Sequence, residues 1–174
     1  MRQPAGFHPS VVMKKLFTSC ACVFFLGASL YGDVIIEMTA IGDAGNTADW
    51  TGLGGVNYTY QISTYEVTVA QYTEFLNVVA ASDPNGLYNS SMETGPLGAF
   101  IVRSGEDGNY VYTVVAGKEN EPARYVTFYD ACRFCNWLSN GQGSGDTETG
   151  SYTLSLGVDI ARTANATWVL PTED

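Results

Sequence analysis

The spacing of apolar positions divides this chain into short strands, two amphipathic helices and long polar loops. Val34 to Met38 is a short apolar stretch with the look of an edge strand. Residues 42–55 are polar and glycine-rich, which makes them loop. From Val56 to Thr68 the pattern alternates, with Val56, Tyr58, Tyr60 and Ile62 on one face, the period-two signature of a strand. At Thr68 the period changes. Val69, Tyr72, Phe75, Leu76 and Val79 recur at helical spacing, and Thr68 with Gln71 has the spacing of a capping box. This helix is expected to reach about Ala81, where Asp83-Pro84-Asn85-Gly86 ends it.

Residues 100–103 and 109–115 form a predicted hairpin, with turn-forming residues between them. Pro122 interrupts the chain before an expected short strand from Arg124 to Val126. A second helix follows, with Thr127 as its cap, Asp130 in its first turn and Gly141 at its end. Its expected buried face is Ala131, Phe134, Cys135 and Leu138. Residues 140–151 are loop, and the segments Ser151–Leu156 and Thr167–Pro171 are the last apolar stretches. Two such helices among short strands and long loops indicate an α+β fold rather than α/β.

Composition narrows the function classes. The 174 residues are 45% hydrophobic and only 15% charged, which excludes a charge-rich disordered chain. A net charge of −10 argues against nucleic acid and anionic membrane surfaces as partners. The N-terminal stretch reads as an export signal. Lys14 and Lys15 form its basic end, the apolar run Leu16–Leu30 follows, and small residues before Asp33 mark a cut near Gly32. Met13 directly precedes the lysines and is the expected true start. The run is shorter than the ~20 residues a membrane span needs. Domain boundaries follow as 1–32, signal peptide, and 33–174, the folded part. Cleavage removes Arg2, Lys14 and Lys15, leaving 18 acids against five bases, and removes Cys20 and Cys22. It also removes His8, the single histidine, so a histidine metal site or a Ser-His-Asp triad is excluded from the mature chain. The chain stops at Leu170-Pro171-Thr172-Glu173-Asp174, directly after an apolar segment, and is expected to continue in the intact protein.

Four blocks in order carry a family resemblance: residues 60–77, 121–141, 151–154 and 168–174. Tyr65-Glu66-Val67-Thr68 and the helix after it resemble the opening strand and helix of the formylglycine-generating enzymes, also called sulfatase-modifying factors. Val126-Thr127-Phe128-Tyr129-Asp130-Ala131 resembles that family's second helix, with Phe128 where Trp is usual. Leu170-Pro171-Thr172-Glu173 resembles its Leu-Pro-Thr-Glu signature. Residues 86–95 and the hairpin resemble a secreted bacterial branch.

The resemblance implies a C-type-lectin-like fold of the formylglycine-generating-enzyme type, loop-rich and here without its C-terminal part. It implies, for an intact enzyme, oxidation of a cysteine in a sulfatase, with oxygen and with copper held by two cysteines, and it implies structural calcium. Those cysteines lie in the family's C-terminal half, so no residue here inherits a catalytic, cofactor-binding or metal-binding role. Two functions follow for the intact, exported protein: a thiol oxidase acting on a sulfatase-like protein, or a non-catalytic lectin-fold module binding a cell-surface ligand.

Three groups of residues are candidate chemistry in their own right. Cys132 and Cys135 form a C-x-x-C, three apart on a helix. Burial in the core, a disulfide to a segment outside this sequence, a redox pair and half of a metal site all remain open, with structural roles the leading reading. Asp43 with Asp49, and Asp146 with Glu148, supply loop oxygens of the kind calcium takes; solvated loop carboxylates are the leading reading. Tyr58, Tyr60, Tyr65, Tyr72, Tyr110 and Tyr112 have the look of a sugar-stacking platform, but their periods place most of them in the core or in cross-strand pairs. Glu66, at the strand-to-helix junction, is expected to make local hydrogen bonds rather than to act as an acid.

Overall fold

The computed structural model describes residues 33–154 and 160–172. The expected signal segment, residues 155–159 and the terminal Glu173 and Asp174 lie outside them. In chain order the elements are β1 (Met38–Ile41), β2 (Tyr60–Ser63), α1 (Val69–Val79), α2 (Ser91–Thr94), β3 (Ile101–Ser104), β4 (Val111–Val114) and α3 (Phe128–Ser139). Among the described residues β1 and β2 pair antiparallel, and β3 and β4 form a separate antiparallel hairpin. The architecture is α+β.

Both long helices begin where their caps predict. Thr68 Oγ1 accepts from the Gln71 N–H at 3.2 Å, and Gln71 Oε1 accepts from the Thr68 N–H at 2.9 Å. Thr127 and Asp130 repeat the arrangement at 3.2 and 3.0 Å. Each box satisfies N–H groups that a first turn leaves free. The helices then meet through aromatic rings. Phe75 lies 5.4 Å from Phe134 and 5.3 Å from Trp137, and Tyr72 closes the group at 5.6 Å from Phe75. Leu76 and Leu138 are buried beside them.

The β3–β4 hairpin covers another side of α1. Asn77 acts as a piece of strand, donating to the Tyr112 carbonyl and accepting from the Tyr112 N–H, each at 2.9 Å. The Tyr112 hydroxyl donates to the Ala80 carbonyl at 2.8 Å. At the turn, Gly105 has φ +86°, and a side chain there would run into the Asn109 carbonyl.

Several expectations need correction, each because tertiary contacts outbid local preference. The Val34–Met38 stretch is not a strand, apart from Met38. Gln142, at φ 60°, turns its side-chain amide onto the Val34 backbone and bonds both its N–H and its carbonyl, at 2.6 and 2.9 Å. The long strand from Val56 shrinks to β2, because the 42–55 loop takes the Val56 peptide groups through Gly45 and Asn46. Arg124–Val126 is not a strand either. Tyr125 has φ 58°, outside any strand conformation, and its ring stacks on Phe100 at 6.1 Å. The helix α1 stops at Val79 with Ala80 as its cap, slightly before Ala81. The short α2 was not foreseen; it exists around Met92, which is wholly buried.

Candidate functional site

An apolar groove of about 610 Å³ lies between Ile36, Met38 and β2, the buried face of α3 with Tyr72 of α1, and residues 167–172. Tyr72, Phe134, Cys135 and Leu138 form its floor, Trp168 and Leu170 one wall, and β2 the other. Glu66 and Arg162 are the charged residues on its lining.

Cys135 lines the groove, and Cys132 lies beside it, buried and off the lining. Both thiols are free; Cys132 is fully buried and Cys135 is 6% exposed. Around them pack Tyr152, Leu154, Ile160, Trp168 and Leu170. Burial pushes the Cys135 thiol up to about 12, with Cys132 adding to the effect, and it raises the Cys132 thiol too. A copper ion held by two cysteines takes them as thiolates. Burial disfavours the thiolates of this pair when no metal is bound, and among the described residues no group of three or more His, Cys, Asp or Glu is placed to hold a metal. Their environment is that of small core side chains.

The acidic loops are equally committed. Asp49 accepts from the Thr51 N–H and hydroxyl, at 2.7 and 2.5 Å. Asp146 accepts from the Glu148 N–H and the Thr149 hydroxyl, at 2.8 and 2.5 Å. Glu148 is a partly exposed carboxylate that is also ion-paired. Arg133 grips it with two bonds, at 2.6 and 2.9 Å, while Arg133 also lies 3.7 Å from Asp130. The carboxylates of Asp49, Asp146 and Glu148 are thus engaged in loop geometry and ion pairing, while Asp43 is exposed and makes no side-chain hydrogen bond among the described residues.

The tyrosines divide. Tyr72 and Tyr112 are core, and Tyr110 lies half-buried under the Arg103 guanidinium at 4.4 Å. Tyr58, Tyr60 and Tyr65 are exposed, contrary to expectation. Tyr58 and Tyr60 touch edge to face at 6.2 Å on the rim of the groove. Glu66 makes none of the expected local bonds among the described residues; Gln71 occupies the Thr68 N–H, and the exposed Glu66 carboxylate borders the groove.

Two residues that hold the site together escaped the sequence reading. Arg133 ties α3 to the 140–150 loop through Glu148. Asn136, fully buried, donates to the Thr147 and Tyr152 carbonyls at 2.8 and 3.0 Å and accepts from the Tyr152 N–H at 2.8 Å. A polar residue flanked by Cys135, Trp137 and Leu138, just before a glycine-rich loop, was the available signal for a loop anchor.

The Arg133 grip gives a testable pH dependence. Hydrogen bonding from Arg133 holds the Glu148 carboxyl below its ordinary 4.5. Its contribution is therefore present above that value and is lost as pH falls through the lowered one. Arg133→Met should cost about 1–3 kcal/mol at neutral pH, between an exposed and a buried pair. The gap between wild type and variant should narrow below pH 4.5. Urea midpoints from neutral to acid pH test this; a gap independent of pH would show that packing, not charge, is what Arg133 supplies. Asp83 has the opposite sign, since burial raises it, but it contributes equally to both proteins.

Fold and site together define a loop-rich α+β domain, built on two capped helices and carrying one large apolar groove. The chain belongs to the formylglycine-generating enzyme/sulfatase-modifying factor family: the family model for the sulfatase-modifying factor enzyme 1-like domain matches residues 56–174. No curated protein and no solved structure matches the chain. Among the described residues no helix is long and apolar enough to cross a membrane.

Proposed function

We propose that the intact protein is exported and oxidises a cysteine of a sulfatase-like protein to formylglycine: a Cβ–H bond and the Cβ–S bond break, the sulfur leaves as sulfide, one oxygen atom becomes the aldehyde oxygen and the other water, and a thiol reductant, itself oxidised to a disulfide, supplies the remaining two electrons. In this reading residues 33–174 are the frame of a C-type-lectin-like domain, and its thiolates lie in chain that follows Asp174. The observation that carries it is the family match over residues 56–174. Two features of the structure bear on it. Cys132 and Cys135 are core thiols that burial keeps protonated. The groove is lined by apolar residues of α3 and by Tyr72 of α1.

The test is the gene product extended past Asp174, copper-loaded and given a cysteine-containing sulfatase peptide. Aldehyde formation, read by mass and hydrazide capture, is the expected result, with a mature N-terminus near Asp33. No aldehyde would overturn the oxidase and leave a binding module. The 174-residue chain is expected to form no aldehyde. Stoichiometric copper binding to it that depends on Cys132 and Cys135 would refute the structural role of the pair.

A further inference from the structure

We propose that Tyr58, Tyr60 and Asp43 form a binding site for an uncharged sugar of a glycan. The proposal goes beyond the oxidase reading and rests on these residues alone. Tyr58 and Tyr60 border both the groove and a smaller hollow of about 80 Å³. Ile41, Asp43, Asn46 and Val56 line that hollow with them. The two rings touch edge to face at 6.2 Å and remain 54% and 37% exposed. Ile41, paired with Tyr60 across the β1–β2 ladder, extends the apolar surface. Hydrogen bonds within the chain hold the opposite wall in place. The Gly45 N–H donates to the Val56 carbonyl at 2.7 Å, and the Asn46 N–H to the Asp43 carbonyl at 3.2 Å. The Asn46 side-chain amide donates to the Gly54 carbonyl at 2.7 Å and accepts from the Val56 N–H at 3.3 Å. The Asp43 backbone is thereby fixed at the hollow, while its exposed carboxylate makes no side-chain hydrogen bond among the described residues.

Apolar side chains scattered singly over a surface need no ligand to explain them. Here two tyrosines touch each other and face a concavity that also holds an uncommitted carboxylate, the mixture of flat apolar surface and few polar groups that small-ligand sites use. A sugar ring has apolar C–H faces and a rim of hydroxyl donors, and the site offers the complement of each. The tyrosine rings take the C–H surface at low conformational cost. The carboxylate is a pure acceptor, so it takes hydroxyl donors that bring no charge. Other small ligands fit less well. An apolar molecule would desolvate the Asp43 carboxylate without pairing it. An anion, whether a phosphate or a sulfated sugar, would meet Asp43 in a chain of 18 acids and eight bases.

Calorimetric titration and amide NMR of the full-length exported protein test the site in EDTA, with cellohexaose, maltohexaose, mannohexaose and chitohexaose as neutral probes. At least one should bind with a Kd of about 0.1–1 mM and shift the Tyr58, Tyr60 and Asp43 amides. Tyr60→Ala should weaken that binding by about tenfold, and Asp43→Asn by about fivefold. Tyr58→Phe keeps the ring and should weaken it by no more than about twofold. Tyr65→Ala, at an exposed tyrosine that lines neither cavity, should leave it unchanged. Binding that ignores Tyr60→Ala and Asp43→Asn, or that falls as much with Tyr65→Ala, would overturn the proposal. So would a preference for a heparin hexasaccharide, or binding seen only with added calcium, since Asp43 would then act through a metal. Failure of all four sugars at about 10 mM would also sink it. A tetralysine peptide that bound there while the sugars failed would overturn it in favour of a cationic protein partner.

Discussion

Replacing Phe75 by Ala is expected to remove about 3–5 kcal/mol, the cost of deleting a buried aromatic ring. Phe75 is fully buried and sits where the two long helices touch, within ring contact of Tyr72, Phe134 and Trp137. Domains hold only about 5–15 kcal/mol in all. In the 174-residue chain the margin is expected to be thinner if the domain continues past Asp174, as proposed above. There the substitution should abolish the cooperative urea transition and collapse amide NMR dispersion. In a protein extended past Asp174 it should shift the midpoint and leave the transition sharp. The control is Phe128→Ala, on the same helix α3 but 56% exposed, which should change stability by no more than about 0.5 kcal/mol. Equal effects at the two positions would refute the placement of the core between α1 and α3.

Asn136→Ala is expected to cost about 3–5 kcal/mol and to release the 140–152 segment from α3. The variant strands two carbonyls and one N–H that Asn136 now serves, and an unsatisfied buried group costs about 1–3 kcal/mol before water reaches it. Asn136→Asp tests the same geometry with a charge. Its carboxylate would face the Thr147 and Tyr152 carbonyls, so burial and like-signed oxygens would raise its pKa above the unfolded value. By linkage, that variant is most stable at acid pH and loses stability as pH rises through the raised pKa. A urea series across pH should show this rise toward acid. A flat profile would mean that the side chain at 136 has swung out to solvent and that the loop is held by other contacts.

What was legible in the chain is what short range decides. Thr68 with Gln71 and Thr127 with Asp130 mark helix starts because each cap is completed within one turn, by residues three apart. The β3–β4 hairpin was readable for the same reason, its turn chemistry lying between its own strands. The family was readable from ordered blocks, each of them local. Cys135 was placed on the core face beside Phe134 and Leu138 by its helical position, and it is buried there; Cys132 is buried too.

Tertiary structure decided the rest. Gln142 holds Val34 across most of the chain and prevents the expected first strand. Tyr125 takes a positive φ because its ring stacks on Phe100, a cost no local propensity would accept. Arg133 selects Glu148 as a partner from a distant loop, turning a supposed solvated carboxylate into an anchor. The sequence by itself determined where helices begin, which faces are apolar and which family the chain joins, because those depend on neighbours within a turn. The groove was decided only by the folded chain. Its existence depends on which distant segments come together around it, and no local pattern encodes that arrival.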